Sequence, residues 1–414
     1  MKNLLYIFIF TICTGKKLLV PMDLTQNDHL KSYGIAFFAL KNNINVEWLL
    51  NYRGGSFLID ARESIITECK LRGVTFSLIT AENLLSIYSE VDQNNMDIVL
   101  LEKAPKIAIY SPENKQPWDD AVTLALTYAD IKYDVVFDDE VMNGALYKYD
   151  WLHLHHEDFT GQYGKFYRYR NQSWYKQMEN SFTQTANKYG YDTVHKFKKT
   201  IAVKIRDYVS KGGFLFAMCS ATDSFDIALS FYNIDFAHSI YDGTPIDNFD
   251  PLSVDYSNGI AFENYELFTD PTIYEYSNID YPSSHQPTTR SAESDYFTLS
   301  NFSAKWDPVP TMLIQNHVTN VNGFMGQTTG YNKKFLKSHV LILGDDLYSE
   351  QVKYIHGNIG KGTFTFLGGH DPEDYRHFVG DPPTDLDLHR NSPGYRLILN
   401  NILFPAAKKK PKKT

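Results

Sequence analysis

Apolar and polar positions change rhythm along this chain, and the changes mark its elements. Residues 17–23, Lys-Leu-Leu-Val-Pro-Met-Asp, predict a first strand ending in a loop. Apolar positions recur at helical spacing over 29–40, and 46–50 reads as a second strand before the turn signal Arg53-Gly54-Gly55. A helix at 63–71 and a strand at 75–79 follow. Strand, helix, strand, helix predicts an α/β unit with a parallel sheet over 16–104. After Pro105 the pattern restarts, with strands at 106–110, 133–137 and 149–154, a helix at 118–129, and a long helix at 194–210. Gly212-Gly213 closes that helix. The run Phe214 to Met218 is apolar throughout, as a strand buried on both faces requires.

From 241 to 334 the texture shifts to Asp, Tyr, Ser, Pro and Thr, with poor helical periodicity. This segment reads as an insertion of short strands and loops. Within it 323–330 is Gly-rich but lacks the Lys-Ser/Thr ending of a phosphate-binding loop. Strands return at 340–343 and 362–367, and a last helix at 394–403 packs on the sheet. The main α/β domain therefore comprises 105–240 and 335–405, and residues 406–414 form a basic, disordered tail.

Composition narrows the function classes. Hydrophobic residues make up 43% of the 414, enough for a real core, and the formal net charge is −9. Five lysines sit in the tail (Lys408, Lys409, Lys410, Lys412, Lys413), so the body is more acidic still. An acidic body argues against nucleic acid as partner, because phosphate binding needs a basic face. Lys2, the apolar run from Leu4 to Ile12 and the small residues after it predict a signal peptide over 1–15, hence a periplasmic or secreted protein. Ile12 stands before Cys13 where a lipid-attachment motif has a small residue, which argues against anchoring there. No stretch approaches the ~20 apolar residues of a transmembrane helix. Cys69 and Cys219 are expected as free thiols.

Three constellations carry chemistry. Cys219 ends the apolar strand and begins Cys-Ser-Ala-Thr-Asp, so its thiol is expected above the carboxyl edge of the sheet, where open α/β folds bind ligands. The Ser220 N–H would stabilise an oxyanion there, and Asp223 would sit in the cleft. A late strand delivers Gly368-Gly369-His370, followed by Asp371 and Glu373, which places a base beside acids that could orient it. The two glycines are expected to admit a ligand closely. The third is Trp151-Leu152-His153-Leu154-His155-His156-Glu157. Alternation puts His153 and His155 on one face, able to share a divalent metal, with Glu157 and His156 beyond them at the cleft. Trp118 and Asp119, at a predicted helix start, also fall near it.

The junctions 211–219 (Lys-Gly-Gly-Phe-Leu-Phe-Ala-Met-Cys) and 360–370 (Gly-Lys-Gly-Thr-Phe-Thr-Phe-Leu-Gly-Gly-His) resemble class I glutamine amidotransferase-like domains. The second is similar to the trehalose-utilisation branch of that superfamily. The resemblance implies a flavodoxin-like parallel sheet with helices on both faces, Cys219 as nucleophile and His370 as base. Where that family has Gly-x-Cys-x-Gly, this chain has Ala217-Met218-Cys219-Ser220-Ala221. His370-Asp371-Pro372-Glu373 carries one residue more than the family's His-Pro-Glu, so Asp371 or Glu157 becomes the candidate orienting acid beside Glu373. Over nearly its full length, through 50–57, 152–162 and 368–375, the chain also resembles exported Bacteroidetes proteins commonly labelled asparagine synthetase B. That label does not fit the residues, since residue 2 is Lys rather than a nucleophilic Cys and no Ser-Gly-Gly-x-Asp-Ser loop is present.

Three readings follow: a Cys-dependent amidase or hydrolase acting on an envelope or extracellular substrate, a non-catalytic envelope module binding a small molecule, carbohydrate or protein, and a metal-dependent enzyme built on the 153–157 cluster. The first two readings need no cofactor, and none is expected; the third would need a divalent metal.

Overall fold

The computed structural model describes residues 16–112, 119–281 and 291–407. The predicted signal segment, Cys13, Trp118 and the tail lysines lie outside the described residues.

Five strands form an N-terminal sheet: β1 (Lys17–Val20), β2 (Val46–Leu50), β3 (Ser56–Asp60), β4 (Ser77–Ile79) and β5 (Asp97–Leu101), in the order β4-β1-β3-β2-β5. Every pairing in it is antiparallel, which corrects the expectation of a parallel unit. The reason is the β2–β3 connection. Asn51 to Gly55 is too short for a parallel crossover, which takes a dozen or more residues. Asn51, Arg53, Gly54 and Gly55 all adopt positive φ, and the chain doubles back as a hairpin. The turn signal was visible in the sequence, but the strand it launches was not recognised.

The second sheet has ten strands: β6 (Ile107–Tyr110), β7 (Asp134–Val136), β8 (Trp151–Leu154), β9 (Phe214–Met218), β10 (Tyr296–Leu299), β11 (Asn320–Asn322), β12 (Tyr331–Asn332), β13 (Leu341–Asp345), β14 (Gln351–Ile359) and β15 (Gly362–Leu367). Its order is β11-β10-β13-β14-β15-β9-β8-β6-β7, with β12 paired to β14. The half from β15 to β7 is parallel and the half from β14 to β11 antiparallel. The sheet is therefore mixed. The change of sense falls at the tight Gly360-Lys361 turn, where Gly360 has φ 57°. Strands β10 and β11, from the segment read as an insertion, extend this same sheet.

Helices in chain order are α1 (His29–Lys41), α2 (Glu63–Arg72), α3 (Ala81–Gln93), α4 (Ala121–Tyr128), α5 (Asp138–Met142), α6 (Ser173–Lys188), α7 (Val194–Ser210), α8 (Ser220–Ser230), α9 (Ser239–Asp242), α10 (Pro308–Leu313) and α11 (Pro393–Leu403). Alternation along β9 divides the core. Phe216 and Met218 face the cluster that holds α1, α4 and α11, while Leu215 and Ala217 face the one that holds α7 and α8. The first cluster also contains Trp48, Phe57 and Ile59 of the N-terminal sheet, so α1, α4 and α11 form a layer shared by both sheets. Buried Arg396 ties that layer together. Its guanidinium donates to the carbonyls of Met22 and Gly54 and to the Tyr33 hydroxyl. No helix among the described residues is long and apolar enough to cross a membrane.

Candidate functional site

Parallel strands deliver their carboxyl ends to one edge, and ligand sites in such sheets gather there. The edge above β6, β8, β9 and β15 receives Asp119 and Asp120, His153 to Glu157, Cys219 and His370.

Asp120 caps α4, its carboxylate accepting from the N–H groups of Val122 (2.7 Å) and Thr123 (2.9 Å). Its oxygens also reach His153 Nε2 at 3.3 Å and His155 Nδ1 at 3.7 Å. Burial alone would raise Asp120, but the two neighbouring imidazoles hold its carboxyl well below the ordinary value. His153 donates from Nδ1 to the Phe216 carbonyl (3.1 Å), which leaves its other nitrogen for Asp120. His153 and His155, expected to share one ion, do converge, each with a ring nitrogen within 4.8 Å of the other's and of an Asp120 oxygen, so Asp120 rather than Glu157 is the third group there. His155, His156 and His370 each bring one ring nitrogen to within 4.8 Å of the others. Two of these come from the turn after β8 and one from the turn after β15. His155 is 2% and His370 7% exposed, and both ring nitrogens of each lack a hydrogen-bond partner among the described residues. The ring of His377 stacks on that of His370, centroids 4.2 Å apart. His377 is held in turn by Asp119 (3.2 Å) and Asp374 (3.0 Å).

Cys219 has φ 50° and ψ −139°, a left-handed conformation that L residues adopt only under constraint. Its N–H donates to the Gly369 carbonyl at 3.1 Å. Burial pushes the thiol up, although the N–H groups of Gln327, Ser220 and Thr328 point at the sulfur and oppose the shift. The Ser220 N–H, expected to serve an oxyanion, is thus directed to the thiol itself. Cys69 is buried too, and burial pushes its thiol up to about 12; neither cysteine is bonded to another.

The acids proposed to orient His370 lie elsewhere. Asp371 accepts from the Tyr395 hydroxyl (2.9 Å), the Thr384 hydroxyl (2.8 Å) and the Glu373 N–H (2.9 Å). Glu373 pairs with His389 at 3.0 Å. Glu157 is buried within electrostatic reach of Lys198 and Asp138, and burial raises it to about 8. Asp223 lies under the Gly-rich loop rather than in the cleft, accepting from the Thr328 hydroxyl at 2.8 Å. Glycines 368 and 369 admit that loop, not a ligand. The N–H of Gly369 donates to the Thr328 carbonyl and that of His370 to the Met325 carbonyl, both at 2.8 Å. A Cβ at Gly369 would stand 2.4 Å from the Phe324 ring.

His156, Cys219, Gln327 and His370 line a cavity of about 280 Å³. Phe166, Tyr169, Tyr274 and Phe378 supply aromatic wall, and Arg168 and Arg376 add positive charge. The two arginines, His377 and the paired role of Asp120 were missed from sequence. The capping signal at Asp120 was visible, but nothing local told that its free oxygens meet two histidines 33 and 35 residues on.

No family model matches the chain, and no curated protein does. Among solved structures it is similar to the cytoplasmic protein STM3548 from Salmonella typhimurium, at 9% identity over 73% of this chain and 100% of that one, with a TM-score of 0.35. It is also similar to the cytoplasmic protein STM1381 from Salmonella typhimurium LT2, at 14% identity over 73% and 100%, TM-score 0.34. Gan42B, a GH42 β-galactosidase from G. stearothermophilus, aligns at 10% identity over 65% of this chain and 28% of that one, TM-score 0.28. Likenesses at these TM-scores carry no functional argument.

Proposed function

We propose that the protein is a metal-dependent hydrolase whose divalent ion is held by His155, His156 and His370 at the inner end of the cavity. The observation that carries this reading is the convergence of three imidazoles, those of His155 and His370 buried, with no hydrogen-bond partner among the described residues for His155 Nε2 or for either nitrogen of His370. Leaving a buried polar nitrogen unsatisfied costs about 1–3 kcal/mol, so a site that gathers several needs something to bind them. Coordination at ~2.0–2.1 Å would draw the three nitrogens to roughly 3.4 Å from one another, within reach of side-chain rotation. Three neutral ligands leave the ion's charge intact and a fourth position open, which is the arrangement that acidifies a bound water into a nucleophile. Asp120 behind His155 supplies the carboxylate that commonly orients a ligating imidazole.

Zinc uptake by tag-free protein tests the reading. Equilibrium dialysis and elemental analysis are expected to find one equivalent, lost with His370→Ala. Hydrolysis of p-nitrophenyl esters is expected to vanish with chelator and return with zinc. Absence of stoichiometric zinc at micromolar concentrations overturns it.

A second reading rests on the backbone of Cys219. Its φ and ψ, on a turn between a parallel strand and a helix, suit the nucleophile of an amidotransferase-like, flavodoxin-like domain. His370 cannot be both its base and a ligand. In this reading iodoacetamide labels native Cys219 faster than Cys69, in a pH-dependent way; equal or absent labelling removes it.

A further inference from the structure

We infer that the cavity takes a substrate bearing a carboxylate on a flat apolar body, the charge read by Arg168 and Arg376. This deepens the metal-dependent reading and rests on it only for the chemistry, not for the binding.

Both arginines line the cavity, together with His156 and His370. Arg53, Arg72, Arg206 and Arg390 pair with carboxylates. Arg168 and Arg376 have no carboxylate partner among the described residues, in a chain of net charge −9. In so acidic a protein two unpaired cations on one cavity set its local sign. Arg168 lies over the Tyr169 ring, its guanidinium carbon 4.7 Å from the centroid. The neighbours of Arg376 are both tethered. The Tyr375 hydroxyl donates to Asp295 at 3.1 Å and the Tyr375 carbonyl accepts from the Met325 N–H at 3.0 Å, while His377 is fixed by Asp119 and Asp374. A planar guanidinium matches a carboxylate with two parallel hydrogen bonds. Phe166, Tyr274 and Phe378 give the rest of the lining an aromatic character, and Phe378 is 63% exposed. Flat apolar groups gain most from such a wall.

The test is calorimetric titration of the full-length, zinc-loaded protein with 3-phenylpropionate, 3-phenylpropionamide and acetate. Expected is saturable 1:1 binding of 3-phenylpropionate, at least tenfold tighter than the neutral amide and than acetate. The double variant Arg168→Gln/Arg376→Gln is expected to lose at least tenfold in affinity while retaining its zinc and its thermal midpoint, since both side chains are exposed. Equal affinity for acid and amide, unchanged affinity in the double variant, or no saturable binding overturns the inference. The same titrations after chelation separate the two readings. Arginine-dependent binding in a protein that takes up no zinc leaves this inference standing and removes the metal. Binding abolished by chelator but indifferent to the arginines does the reverse.

Discussion

Asp223 shows what burial does to a single carboxyl in this protein. It is fully buried, one oxygen accepts from Thr328 and from the Ser224 N–H (2.9 Å), and the other has no hydrogen-bond partner among the described residues. Burial raises it from 3.8 to about 7. A raised acid binds its proton more tightly folded than unfolded. Stability from this group is therefore complete below pH 4 and declines as pH rises from about 4 to about 7, by an amount on the order of a few kcal/mol. Asp223→Asn keeps the accepting oxygen and never ionises. Its melting temperature is expected to match or exceed the wild type at pH 8, with the advantage shrinking towards pH 5; an advantage independent of pH would contradict the account. Gly369 makes the opposite point about space. With φ 97° and a Cβ blocked by Phe324, Gly369→Ala is expected to destabilise by about 2–4 kcal/mol in urea titration, a size reserved for strained or overpacked sites.

At the scale of elements, α4 links packing to the site. Its cap residue Asp120 is also the carboxylate facing His153 and His155. Asp120→Ala is expected to cost about 1 kcal/mol of stability through the lost cap. Zinc affinity is expected to fall roughly 10- to 100-fold through the lost orientation of His155, as measured by chelator competition. Stability loss with unchanged affinity would limit Asp120 to capping. The strand ends were legible here and their companions were not. Predicting β8, β9 and β15 from apolar runs was enough to place His155, Cys219 and His370 on turns. Which strands would be neighbours depends on long-range pairing, and the β15-β9-β8 order is what joins His370 to the pair after β8.

In the whole molecule, the layer of α1, α4 and α11 belongs to both sheets. Arg396 bonds across it, and Asn400 adds donations to the Leu313 (3.0 Å) and Gln315 (2.8 Å) carbonyls. A core shared in this way predicts that the N-terminal sheet does not melt separately. Calorimetry is expected to show one cooperative transition. Arg396→Leu, which removes the guanidinium's donation to the Gly54 carbonyl at a cost of about 1–3 kcal/mol, is expected to lower it as a unit. Two resolved transitions would contradict this coupling.

Local chemistry explains what the sequence determined by itself. Apolar runs, caps and turn glycines act over a few residues, so strand and helix positions, the Cys219 junction and the histidine-bearing turns could be read directly. Sheet sense in the N-terminal unit, the β14 strand, the carboxylates that Asp371 and Glu373 withhold from His370, and the meeting of His370 with His155 and His156 were decided by tertiary structure. Each depends on which distant segments meet, and local sequence carries no record of those meetings.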